Sequence, residues 1–156
     1  MKTNAIRILE SKGVAHATAT YDYDEENLDA VSVANAIGAQ AETVFKTLVA
    51  RNDKNEVMVF VIPGNFELNL KKAAIASHSR SVGMLKVKDL LPVTGYIRGG
   101  CSPIGMKRLF PTFVDETAQL YDRIYVSAGV RGMQVCLSPL DLLGVVGGVF
   151  ADLTGF

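Results

Sequence analysis

The chain has 156 residues, 49% hydrophobic and 21% charged, which suits one folded domain over residues 1–156 and excludes a disordered polymer. Sixteen basic residues balance sixteen acidic ones, so overall charge gives no reason for tight, nonspecific binding to nucleic acid, although a local basic surface stays open. Cys101 and Cys136 are too few for a disulfide framework, the first residues lack the apolar core of a secretory signal, and no apolar run reaches the ~20 residues of a membrane span; the expectation is a reduced, cytoplasmic setting.

Thr3 or Asn4 caps a first helix, with Ile6, Leu9 and Ala5 facing the core and Gly13 ending it after Lys12. Val14 to Tyr23 reads as a strand, followed by an acidic turn at Asp22, Asp24, Glu25 and Glu26. That turn reads as solvated; no second ligand cluster accompanies it, so no metal site is expected. A second helix covers Asp29 to Ile37 and ends at Gly38. Phe45 to Arg51 and Val57 to Ile62 are strands joined by the polar hairpin Asn52-Asp53-Lys54-Asn55. The second strand is apolar on both faces, which predicts a central, covered position. Helices follow over Leu68 to Ala76 and over Lys86 to Leu91, the latter stopped by Pro92. Gly95 to Phe110 mixes glycines and Pro103 with Tyr96, Ile97 and Ile104, the pattern of a structured loop set. Strands at Thr112 to Asp115, Arg123 to Ser127 and Gly132 to Leu137 come next. A last helix starts with Ser138 as cap and Pro139 at its first position and runs to about Val145. Strands interleaved with helices and hairpins indicate a mixed α/β domain.

Lys46 stands out within Val44-Phe45-Lys46-Thr47-Leu48-Val49. On a strand it shares a face with Val44 and Leu48. An ammonium there needs a partner, a cleft to solvent or the loss of its proton, unless its stem lies over apolar neighbours with its head in water. The glycines of Gly99-Gly100-Cys101-Ser102-Pro103 allow close backbone approach to a ligand, while Pro103 fixes the exit; a tight turn between strands is an equal reading. Cys101 is a nucleophile only if a base or helix terminus stabilises its thiolate, and neither His16 nor His78 lies in such a context. Ser127-Ala128-Gly129-Val130-Arg131-Gly132 is a second glycine-rich turn whose Arg131 can meet phosphate or solvent. There is no GxSxG elbow and no phosphate-loop fingerprint.

In order, Tyr21-Asp22, Phe45-Lys46-Thr47-Leu48, Leu70-Lys71-Lys72-Ala73, Thr94-Gly95-Tyr96, Gly99 to Gly105 and Ile124 to Gly132 resemble the YbaK/EbsC family, relatives of the editing domain inserted in bacterial prolyl-tRNA synthetases. The resemblance covers nearly the whole chain. It implies a mixed, mostly antiparallel sheet curved towards a barrel and flanked by helices. It also implies trans-editing: removal of cysteine from mischarged tRNA(Pro), with no cofactor and no metal. The alternatives are removal of alanine from tRNA(Pro) or a non-catalytic module that binds aminoacyl-tRNA or a nucleotide. By this resemblance Lys46 matches the essential lysine, and Gly99 to Pro103 fits the GxxxP motif that holds the aminoacyl carbonyl region. Lys46 is then cast as a charged anchor for the tRNA terminus rather than a general base. Gly99, Gly100, Cys101, Ser102, Pro103 and Ser127 shape the aminoacyl pocket, Tyr21, Phe45 and Thr47 add walls, and Lys71, Lys72, Lys107, Arg108 and Arg131 meet tRNA phosphates. The acceptor end of a mischarged tRNA is the expected partner, with a transient complex with prolyl-tRNA synthetase. Cys101 and the turn Ala128-Gly129-Val130 depart from the family's usual residues.

Overall fold

The computed structural model describes residues 2–155. Among them are five α-helices and eight strands in a mixed α/β arrangement. Helix α1 (Asn4–Ser11) is capped by Thr3, whose hydroxyl accepts from the Ile6 amide and donates to the Ala128 carbonyl at 2.6 Å. One side chain thus satisfies a helix end and ties it to the far half of the chain. Strand β1 (Ala17–Thr20) is shorter than the sequence pattern suggests, because only these residues find a ladder partner. Helix α2 (Ala30–Ile37) runs from an Asp29 cap to a left-handed Gly38.

Strands β2 (Phe45–Asn52) and β3 (Val57–Pro63) form the expected hairpin. Helix α3 (Leu70–Ala76) starts behind an Asn69 cap rather than at Leu68. A short strand β4 (Val82–Met84) follows, then helix α4 (Val87–Thr94). Pro92 does not stop α4. It forfeits one hydrogen bond, yet the turn continues through the Thr94 hydroxyl on the Leu90 carbonyl (2.7 Å) and the Gly95 amide on the Leu91 carbonyl (2.9 Å). Gly95, in the left-handed region, is the true terminator. Strands β5 (Thr112–Asp115), β6 (Ile124–Ser127) and β7 (Met133–Leu137), helix α5 (Pro139–Val146) and strand β8 (Val149–Ala151) complete the order.

The strands form two sheets, β1-β7-β6 and β4-β2-β3-β5-β8. Four pairings are antiparallel; β3–β5 and β5–β8 are parallel. A lone parallel bridge between Val44 and Tyr125 joins the two sheets. Strand β3 is central and covered on both faces, as its sequence predicts. Val59 and Val61 enter a core with α1, β6, β7 and α5, while Met58, Phe60 and Ile62 enter a second core with Ala73 and Ala74 of α3. Phe60 stacks on Phe113 with centroids 5.4 Å apart. A third, smaller cluster packs Val33 and Ala34 of α2 on Val44, with Tyr21 against it. No helix among the described residues is long and apolar enough to cross a membrane.

Candidate active site

The site follows from how β2 is paired. Along one edge β3 matches it over its length. Along the other, β4 takes only Ala50 to Asn52, and β6 touches only at the Val44 bridge. Between these contacts, no strand among the described residues pairs with Lys46 to Leu48 on that edge. A pocket of about 320 Å³ opens there, lined by the consecutive residues Phe45 to Val49. Antiparallel ladders turn alternate residues to opposite edges. The Gly64 amide bonds to the Val44 carbonyl, and the Asn52 amide to the Glu56 carbonyl. Even-numbered residues of β2 therefore face β3, and odd-numbered ones face away. The Leu85 amide takes the Val49 carbonyl at 2.9 Å in agreement. The main-chain amide and carbonyl of Thr47 are thereby directed into the opening.

Lys46 lies in this pocket with its side chain 26% exposed. Its ion-pair partner is Glu67 at 3.9 Å, whose side chain is 96% exposed. Such a pair is loose and screened by solvent, so an incoming anion can replace the carboxylate.

The opposite wall comes from the two glycine-rich loops. Gly99 has φ +84°, and a side chain on it would meet Leu28 at 3.0 Å and Arg131 at 3.3 Å. One on Gly100 would press on the main chain of Val130 and Arg131 at 3.1–3.2 Å. The loops therefore pack backbone to backbone, which only glycine permits here. The Arg131 Nε donates to the Arg98 carbonyl at 3.0 Å and locks the two together. Tyr96 braces the first loop from below, its hydroxyl donating to the Ile104 carbonyl at 2.6 Å; burial pushes its pKa up to about 12.

The pocket gathers Lys46, Phe45, Thr47, Gly99, Cys101 and Ser127 of the expected residues. Others sit behind it. Gly100, Ser102 and Pro103 are buried, and the Ser102 hydroxyl accepts from the Ile104 amide, shaping the turn. Tyr21 packs in the α2 cluster rather than lining the opening. Among the expected phosphate contacts, Lys71 and Arg108 are exposed. The Lys72 ammonium is held by Asp152 (3.0 Å) and the Thr154 carbonyl (2.7 Å), Lys107 by the Pro92 carbonyl (3.1 Å), and Arg131 lies 3.8 Å from Glu25.

Burial pushes the Cys101 thiol up to about 12, against a smaller opposing hydrogen bond from Thr94. At neutral pH it is a soft, uncharged wall, not a nucleophile. No group of three His, Cys, Asp or Glu residues among those described could hold a metal ion.

Several lining residues escaped the sequence reading: Leu28 and Val33 around the start of α2, Met84, Leu85, Val87 and Leu90 around α4, and Gln134. Gln134 is 5% exposed, pairs with Ser127 in the β6–β7 register, and its carboxamide oxygen has no hydrogen-bond partner. The buried Thr47 hydroxyl is likewise unpartnered. Buried polar atoms without partners are costly. Both residues line the pocket. A polar residue inside the apolar run Met133–Leu137 was the available signal.

The model of the aminoacyl-tRNA editing domain family matches residues 24–145. A candidate deacylase of Cys-tRNA(Pro) and Cys-tRNA(Cys), EbsC of Enterococcus faecalis, is 50% identical over 98% of this chain and 93% of its own. A proline–tRNA ligase of Shouchella clausii is 29% identical over 64% of this chain but only 17% of its own length. The crystal structure of a candidate trans-editing enzyme for prolyl-tRNA synthetase superposes with a TM-score of 0.83 at 23% identity, covering 100% of this chain and 99% of that one. The family model and the sequence match show, and the matching fold agrees, that the chain belongs to the aminoacyl-tRNA editing domain family, in its YbaK/EbsC group.

Proposed function

We propose that the protein is a trans-editing deacylase that frees cysteine from mischarged tRNA(Pro). The observation that carries this reading is the pocket itself: a loosely paired lysine faces a small cleft whose cysteine is held as a neutral thiol. The ester linking an amino acid to ribose is already activated, so orientation and stabilisation of developing oxyanion charge are what it needs. Lys46 anchors the terminal ribose–phosphate region, and the Gly99–Gly100 backbone and the outward edge of Thr47 hold the aminoacyl carbonyl region. The orphaned acceptors of Thr47 and Gln134 receive the substrate's α-ammonium.

The attacking group in this reading is the substrate's own thiol. Its sulfur bonds to the ester carbonyl carbon, the bond from that carbon to the ribose oxygen breaks, and the thiol proton ends on the ribose hydroxyl. The products are a cyclic thiolactone and free tRNA. The small cleft sees the acceptor end, and the balanced net charge supplies no general hold on RNA. Prolyl-tRNA synthetase therefore supplies tRNA identity in a transient complex.

The direct test incubates the protein with Cys-tRNA(Pro) and follows remaining charged tRNA. Loss well above the spontaneous rate is expected; saturable binding with no loss would instead make it a binding module. A finer check is Gln134→Leu. The fold should keep its stability, because an unpaired buried polar group is replaced by an apolar one of similar volume. Deacylation should fall by at least about tenfold, since a hydrogen bond to a charged group contributes roughly 1.5–3 kcal/mol and ~1.4 kcal/mol is tenfold in rate, read as kcat/KM beside a urea melt.

A further inference from the structure

Next to the pocket lies a second recess of about 290 Å³, lined by Arg51, Met84, Leu85, Lys86, Lys88 and Asp89. It shares Met84 and Leu85 with the main pocket, so the two openings are neighbours on one surface. Three cations face a single carboxylate. None of the three forms an ion pair with another described residue; the four pairs recorded are Lys2–Glu10, Lys46–Glu67, Lys72–Asp152 and Arg131–Glu25.

Arg51 is the more telling member. Its Nε is buried and has no hydrogen-bond partner, while its terminal nitrogen reaches only the Asn55 side chain at 3.3 Å. A guanidinium presents a fork of donors that matches phosphate oxygens, and a buried donor left empty is costly. Helix α4 also begins at this recess. Its cap residue, Lys86, makes no side-chain capping bond. The Asp89 amide bonds to the Lys86 carbonyl at 2.9 Å, which leaves the first-turn amides of Val87 and Lys88 for another acceptor; the helix end favours negative charge, part of which Asp89 supplies.

We propose that this recess binds phosphodiester groups of the RNA strand whose 3′ end enters the lysine pocket. The inference rests on the deacylase reading above, and it gives that reading a path for the substrate backbone. It differs from the path expected from sequence, where Lys72, Lys107 and Arg131 already have their heads engaged by the protein. The recess also explains how a chain of zero net charge holds RNA: a few cations gathered beside the site suffice. Met84, which lines both openings, and Val87, which lines the main one, are 47% and 68% exposed and offer apolar surface to a base.

The test uses the full chain with K86Q/K88Q, which alters only exposed side chains, and a triple variant that adds Arg51→Gln. An uncharged RNA hairpin with a single-stranded 3′ end is titrated by fluorescence anisotropy at several salt concentrations. The double variant should bind about tenfold more weakly, with the slope of log affinity against log salt reduced by about 1.4, at roughly 0.7 per single-strand phosphate contact. In deacylation of Cys-tRNA(Pro) the loss should fall on KM. It should vanish for 3′-cysteinyl adenosine, which has no phosphate. Wild-type affinity and salt slope in both variants would overturn the proposal, as would inorganic phosphate shifting the recess resonances while RNA affinity stays unchanged. If the wild type deacylates nothing yet its RNA affinity depends on the recess, the deacylase reading falls and the recess stands.

Discussion

Lys46→Ala is expected to lower kcat/KM for Cys-tRNA(Pro) by at least about a hundredfold, the range lost when one preorganised electrostatic contact is removed from an acyl-transfer site. The thermal midpoint should stay near wild type. Lys46 is partly solvated and its partner Glu67 is almost fully exposed, so the substitution strands no buried charge. Exposed pairs of this kind contribute about 0–1 kcal/mol. Lys46→Arg restores the charge but brings a broad, planar group into a pocket of about 320 Å³, and should recover only part of the rate. A Lys46→Ala protein that turns over at the wild-type rate would remove this lysine from the reaction.

A panel of charged tRNA(Pro) species carries the second large effect. If the substrate's side chain attacks, Cys-tRNA(Pro) should be cleared at least about a hundredfold faster than Ser-tRNA(Pro), because a thiol is a few per cent thiolate at neutral pH and a hydroxyl is not ionised at all. Ala-tRNA(Pro), lacking a nucleophile, should persist. The enzyme-dependent rate on Cys-tRNA(Pro) should climb through pH 6 to 8, towards the thiol's ordinary pKa of about 8.5, and then level. That rise belongs to the substrate, since Cys101 is pushed up to about 12 and stays protonated throughout. Comparable rates on alanine and cysteine would make water the attacker and the enzyme a hydrolase. Running the panel with and without prolyl-tRNA synthetase reads the partner's share in tRNA choice.

How far the sequence reaches can be seen element by element. Strand β3 was legible because both its faces are apolar, and burial on both sides is what the fold supplies. Helix ends were legible where a local signal marks them, as with the Thr3 cap, the left-handed Gly38 and Pro139 in the first turn of α5, although the expected Ser138 cap makes no side-chain bond there. The three-residue strands β4 and β8 carry too little pattern to be seen; each exists because a neighbouring strand offers an edge. Pro92 misled because the loss of one hydrogen bond is absorbed when Thr94 and Gly95 close the last turn. In the site, Lys46, Gly99, Cys101 and Ser127 were named from motifs that sit together in space. The α4 wall and Gln134 were not, since only the folded sheet brings them within reach.

The gap left on the edge of β2 bears on how such a pocket can drift over time. Two of its hydrogen-bonding groups belong to the main chain of Thr47, so no substitution other than proline deletes either of them. The surrounding shape is set by residues such as Met84, Leu90 and Cys101, which line the pocket from the short edge strand β4, α4 and a loop rather than from the central strand β3. Mutation can therefore resize the cavity while the carbonyl-holding edge persists. On the proposed deacylase reading, that separation would let one scaffold change which amino acid it clears without having to reinvent how it grips the ester.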